Sequence, residues 1–273
     1  MKKHIIKEEW IKLENDLAEE LLKADKRERA SKYTDVYEKI YSFVSDEKRE
    51  EMSKNYLIGA IEFNKFLKKT IGSKKLILDL GCGFGHLSAL LAKEGNYVTG
   101  IDINRFHIKE AKEFYGNIKN LKFFKTMGVK LNFPDNSFDF VISTSVFEHI
   151  HPDDINIHLS EIRRVLKNGG EYIFTAITPY TRGDISAYSK DPKQKEKTGF
   201  HINCRTWEEL KKLLESNGLS AKTNILPWKI TSYINFLIPI SYKVFLEKKI
   251  RINRITVMLF KLGEVFIAAK VKK

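Results

Sequence analysis

The apolar positions of the chain follow one period over the first seventy residues and another beyond. Between Ile5 and about Lys23, Trp10, Leu13, Leu17 and Leu21 recur at spacings of three and four, which lays a single apolar stripe along a helix. Tyr33, Val36, Tyr37, Ile40 and Tyr41 repeat the pattern, and Leu57, Ile58, Ile61, Phe63 and Phe66 suggest a third helix ahead of Gly72. Residues 1–70 therefore read as a helical cap. From Lys75 the apolar residues come in short runs bounded by glycine and polar turns, alternating with helical stretches. The runs Lys75–Leu80, Tyr97–Asp102, Leu121–Thr126, Phe138–Thr144 and Glu171–Ile177 read as strands, as do Ala221–Leu226 and Glu264–Val271. Between the fifth and sixth, TWEELKKLLESNGL opens on a capping box, Thr206 with Glu209, and stops at Gly218. Such alternation predicts an α/β domain over residues 71–273, its mostly parallel sheet covered on both faces.

The first strand ends in KLILDLGCGFGH, with glycine at 81, 83 and 85. A buried strand that turns through glycines into a helix lets a small ligand approach backbone N–H groups that a Cβ would hold it away from. Dinucleotide enzymes usually show GxGxxG, which would need glycine where this chain has His86. An acid, Asp102, closes the next strand, where a carboxylate can accept from both hydroxyls of a ribose. With its Asp79-x-Gly-x-Gly-x-Gly turn, this acid and the later segment FPDNSFDFVIS, the chain resembles the class I S-adenosylmethionine-dependent methyltransferases.

The resemblance covers about Lys75–Leu226 and the final strand. It implies a Rossmann-like, doubly wound, seven-stranded sheet, mostly parallel with an antiparallel last strand, and S-adenosyl-L-methionine as cofactor. Asp79 and the backbone of Gly81, Cys82 and Gly83 are then expected to face the methionine part, with Gly85 letting the helix start close to the sheet. Asp102 would hold the ribose and Ile103 would lie against the adenine. The family often carries an acid for the adenine amino group where this chain has Met127, so the main chain at Met127 and Gly128, or packing alone, is expected to hold the base. Thr144 and Ser145 would sit beside the methionine end. Glu148 and His149 fall in the loop where acceptors meet the methyl group. Related ubiquinone-biosynthesis O-methyltransferases include some with a Glu-x-x-Glu-His metal set here; Ser145 replaces the first glutamate, and no metal is expected.

The long stretch 178–205 at the carboxyl edge of the sheet is the expected recognition loop, with Tyr180, Arg182, His201 and Asn203 as polar contacts. Methyl transfer from a sulfonium needs alignment more than protein chemistry. An oxygen nucleophile also needs a base, for which His149 and His201 are the candidates. The expected acceptor is a small molecule, a sugar or a lipid-linked compound. A nucleic-acid methyltransferase is the alternative that the charge permits, although no NPPY-like or paired-cysteine signature of base methylation appears. An NAD-dependent oxidoreductase is disfavoured by the turn spacing, and a cofactor-binding protein without catalysis stays open.

Two cysteines among 273 residues, one of them inside the glycine turn, argue against a disulfide framework and fit a reducing cytoplasm. MKKHIIKEEW is broken by charge too soon for a secretory signal. Net charge is +13, and residues 221–273 carry 11 basic against 2 acidic side chains. Within that region residues 227–262 form an insertion between the last two strands. Its longest uncharged run, Ile230–Tyr242, has 13 residues, short of the roughly 20 that cross a bilayer. Apolar and aromatic residues beside a basic cluster suit a lid over the pocket or a segment resting on the inner face of a membrane. For the second, flotation should recover the protein with anionic vesicles at low salt and release it at high salt. Equal recovery with neutral and anionic vesicles under both conditions leaves the insertion as a lid.

Overall fold

A computed structural model describes residues 7–44, 61–127, 129–176, 201–203, 205, 207–227 and 265–272. Gly128, Tyr180, Arg182 and the insertion beyond Pro227 lie outside them. Helices α1 (Lys7–Lys23), α2 (Arg29–Ser42) and α3 (Ile61–Ile71) precede β1 (Leu76–Leu80). There follow α4 (His86–Lys93), β2 (Tyr97–Asp102), α5 (Arg105–Tyr115), β3 (Leu121–Lys125) and β4 (Phe138–Ser143). The chain continues through α6 (Ile155–Val165), β5 (Leu166–Ala176), α7 (Trp207–Ser216), β6 (Ser220–Pro227) and β7 (Val265–Lys272).

The strands form one sheet in the order β3-β2-β1-β4-β5-β7-β6. β1 to β5 run parallel, and β7 lies antiparallel between β5 and β6. β1 sits where the order reverses, with β2 on one side and β4 on the other, so a crevice opens at its carboxyl end. Alternation along each strand sorts the core into two layers. Leu78, Leu80, Val141, Tyr172 and Phe174 pack against α6 and α7. Ile77, Phe140, Ile142 and Ile173 face the other way, onto α3, α4 and α5. β5 begins five residues earlier than its apolar run suggests, because Leu166 pairs with Phe138 ahead of a register shift and the polar KNGG stretch is carried within the strand.

The expected boundary at residue 70 does not follow the packing. Phe63, Leu67 and Ile71 of α3 are buried with Ile77, Leu87 and Leu91 on the sheet, so this helix belongs to the sheet layer. Among the described residues, α1 and α2 form a separate pair around Leu17, Leu21, Tyr33, Val36 and Ile40, and that pair rests on Ile103, Val129 and Ile202.

Polar contacts lock the pair in place. Arg29 donates from Nε and Nη2 to the two carboxylate oxygens of Asp154, each at 2.9 Å, with both side chains buried. The Tyr33 hydroxyl accepts from the backbone N–H of His151 and donates to Asp154 at 3.4 Å. His151 accepts at Nδ1 from the Asp153 N–H, which leaves Nε2–H to donate to the Leu22 carbonyl at 3.3 Å. Asp154→Ala strands the buried guanidinium and should cost about 3–5 kcal/mol, read as a lower Tm and faster amide exchange in α1 and α2. The double change Arg29→Met with Asp154→Leu should recover most of it. A Tm unchanged by Asp154→Ala would sink this account.

Candidate functional site

The turn after β1 needs glycine twice over. Gly81 and Gly83 have φ of 73° and 52°, in the left-handed region, and a Cβ on Gly81 would stand 2.4 Å from the Val146 side chain. Gly83 differs, since the space where its Cβ would stand is open. Gly85 brings α4 against β3, because a Cβ there would meet the Phe123 ring at 2.6 Å.

The backbone donors of this turn are engaged within the protein, contrary to the expectation that they face a ligand. The N–H groups of Gly81 and Cys82 both donate to the Ile101 carbonyl, at 2.8 and 2.9 Å. Gly83 N–H donates to Oδ2 of Asp102 at 2.9 Å. The reason is the parallel pairing of β1 with β2, which runs as far as Leu80 opposite Ile101 and leaves these donors next to β2 acceptors. Asp102 Oδ1 accepts in turn from the Asn104 N–H at 2.8 Å and lies 3.4 Å from His107 Nδ1. A carboxylate has about four acceptor sites, so Asp102 is oriented by the backbone with capacity left over.

These groups line a cavity of about 390 Å³. Its wall includes the expected Gly81, Cys82, Gly83, Asp102, Ile103, Thr144 and His149. Other expected residues lie elsewhere. Asp79 is buried beneath the turn, accepting from the Ser88 hydroxyl at 2.5 Å. Met127 is 59% exposed and off the wall. Glu148 is fully buried behind it, and its carbonyl accepts from the N–H groups of Ile202 and Asn203, both at 2.9 Å. Asn203, also buried, accepts from Arg205 Nε. Glu148 and Asn203 thus hold the 201–203 stretch in place, where substrate contacts had been expected.

That stretch carries His201 to His149, their ring centroids 4.9 Å apart, and Tyr37 meets His149 edge-on at 5.9 Å. The donor atoms of Glu148, His149 and His201 all lie within 4.8 Å of one another. Side-chain rotation would have to bring them to the about 3 Å that separates donors on an ion with ligand distances near 2.0–2.2 Å. The sequence reading did not foresee this grouping, because His201 is 52 positions from His149.

Sequence reasoning also missed much of the wall. Tyr33, Tyr37 and Tyr41, one face of α2, line the cavity, as do Phe84, His107, Val129, Leu131 and His158. The four-residue spacing of the tyrosines was a visible signal, but an aromatic stripe is more often core packing. Burial raises the Tyr37 hydroxyl well above the usual phenol range and the Cys82 thiol likewise, so both stay protonated.

Two buried groups give stability opposite slopes with pH. Burial, helped by the Asp102 charge and opposed by the Ser88 hydrogen bond, raises Asp79 from 3.8 to about 7. The folded chain holds a proton there that the unfolded chain releases, so this contribution falls as pH rises from about 4 to about 7. Burial lowers His158 from 6.5 to about 3, so the folded chain refuses a proton that the unfolded chain takes up, and stability falls as pH drops through that range. Asp79→Asn keeps an acceptor for Ser88 and should raise Tm at pH 8, leaving a profile that climbs to about pH 6.5 and then levels. No gain in Tm at pH 8 would count against a buried acid held near neutrality.

A family profile describing a methyltransferase domain matches residues 78–174, which run from β1 to near the end of β5. The chain is 30% identical over 194 residues to a sterol 24-C-methyltransferase of Gibberella zeae, covering 63% of this chain and 50% of the relative. It is 41% identical over 95 residues to the 2-methyl-6-phytyl-1,4-hydroquinone methyltransferase of a Synechocystis species, covering 34% of this chain and 29% of the relative. The chain thus spans half or less of the length of these relatives. In fold it is similar to the 1,6-didemethyltoxoflavin-N1-methyltransferase of Burkholderia thailandensis, solved with S-adenosylhomocysteine, at a TM-score of 0.59 and 15% identity, covering 89% of this chain and 90% of that one. The matched stretch contains the glycine turn, Asp102 and the β4 segment, the parts of the chain that resemble the class I S-adenosylmethionine-dependent methyltransferases.

Proposed function

We propose that the protein binds S-adenosylmethionine in the cavity at the carboxyl end of β1 and methylates a hydroxyl group of a small molecule with an apolar body. The observation that carries this reading is a single cavity wall shared by the glycine turn, Asp102, His149 and three tyrosines of α2. The residues fit such a cofactor: Asp102 is buried with two backbone donors already satisfied and acceptor capacity left for a diol, and Gly83 leaves open space beside it. When bound, the cofactor supplies an electrophilic methyl group on a sulfonium.

The chain's own contribution is alignment, exclusion of water and one proton transfer. Asp102 would fix the ribose, Ile103 would pack on the base, and Thr144 would flank the methionine end. Tyr33, Tyr37 and Phe84 give the cavity an apolar lining suited to an acceptor with little charge. His149, which lines the cavity beside Tyr37 and His201, would act as the base for an acceptor hydroxyl. The names of the sterol and hydroquinone relatives support an apolar acceptor.

Calorimetry should detect S-adenosylmethionine and S-adenosylhomocysteine and not NAD, and binding of NAD alone would overturn the reading. Asp102→Ala should weaken cofactor binding by about 1–3 kcal/mol, the scale of charge-assisted hydrogen bonds. Gly83→Val should abolish it. His149→Ala should leave cofactor affinity intact and stop transfer of labelled methyl groups to acceptors in cell extract. A methylated product carrying the label on carbon or nitrogen would replace the oxygen assignment.

A further inference from the structure

Part of the cavity wall, formed by Val129, Leu131 and Ile150, is apolar, and His158 lines the same cavity from the first turn of α6. Its helix neighbours on the core side, Ile155, Leu159 and Ile162, are all buried and apolar. His158 itself is 2% exposed, and its Nε2 has no hydrogen-bond partner among the described residues. An unpaired buried polar atom costs about 1–3 kcal/mol, and a leucine would fill the same helix position without that cost. The penalty is offset if a bound molecule supplies the missing partner.

The chemistry of the cavity says what that molecule presents. Other polar groups of the wall are engaged: Tyr33 with His151 and Asp154, Asp102 with Gly83 and Asn104, His86 with Tyr115. His107 Nδ1 lies 3.4 Å from Asp102 Oδ1, and although its ring nitrogens also make no hydrogen bond among the described residues, it stands beside the carboxylate and not among the apolar residues around His158. Val129 and Leu131 follow directly on the β3 loop, whose Met127 is exposed and not part of the wall. A neutral imidazole offers one donor and one acceptor, and among apolar neighbours it suits a neutral, flat, hydrogen-bonding edge over a charged group.

We propose that His158 reads the adenine edge of the cofactor, one ring nitrogen accepting from the 6-amino group while Val129 and Leu131 cover the ring faces. The assignment rests on the cofactor reading above and adds to it the residue that recognises the base. A histidine on α6 thereby takes over recognition that Met127 cannot supply.

The test is calorimetry with S-adenosylhomocysteine and its 6-deamino analogue on the intact chain, on His158→Phe and on His158→Gln, each first shown to melt cooperatively. The wild type should favour the amino compound by about tenfold, the scale of one buried hydrogen bond. His158→Phe should bind both compounds alike, and His158→Gln, which keeps an acceptor, should restore most of the preference. A wild type without preference, or a preference undiminished in His158→Phe, overturns the role of His158 while leaving the cofactor reading in place. A wild type that binds neither compound overturns both.

Discussion

The arrangement depends on a buried ion pair 125 residues apart in sequence, Arg29 with Asp154. Taking two such groups out of water is costly, and the pair is tolerable only because the guanidinium meets both carboxylate oxygens and Tyr33 shares one of them. Its geometric effect exceeds its energetic one. Asp154 stands at the start of α6, just after the loop that carries His149, so the pair fastens α2 to that loop. Tyr37 is then edge-on to His149, and Ile202 packs on the α1–α2 core. Without this docking, the crevice at β1 would lack the wall that encloses it.

Beneath that wall the site is stiff. The N–H groups of the turn are spent on Ile101 and Asp102, which fixes the carboxylate in one orientation before any ligand arrives. A preoriented acceptor loses little freedom on binding, and the glycine turn contributes here by rigidity more than by open donors. Asp79 and Ser88 brace the same turn from below.

What could be read from the sequence follows from how far each signal reaches along the chain. The strands of the parallel sheet were legible because β1, β2 and β4 are short apolar runs cut off by turn residues, a signal complete within ten positions. Asp102 and the turn glycines stand out in the sequence for the same reason. The register shift that extends β5 back to Leu166 was not, since lysine, asparagine and glycine pattern as a loop and only pairing with Phe138 keeps them in the sheet. Glu148 and Asn203 were misread because nothing local tells a carboxylate facing a cavity from one buried behind it. The assignment of α3 to the cap failed similarly, since amphipathic spacing gives the face of a helix but not its neighbour. His158 is a polar residue inside an apolar stripe, an irregularity visible in the sequence whose meaning needed the cavity.

The tyrosines of α2 belong at once to the helix pair and to the cavity, which ties two equilibria together. Any molecule that touches Tyr33, Tyr37 or Tyr41 binds the docked arrangement more tightly than an undocked one, so occupancy and docking reinforce each other by the same factor. Through that reciprocity Arg29 and Asp154, which line no part of the cavity, bear on how tightly a molecule within it is held.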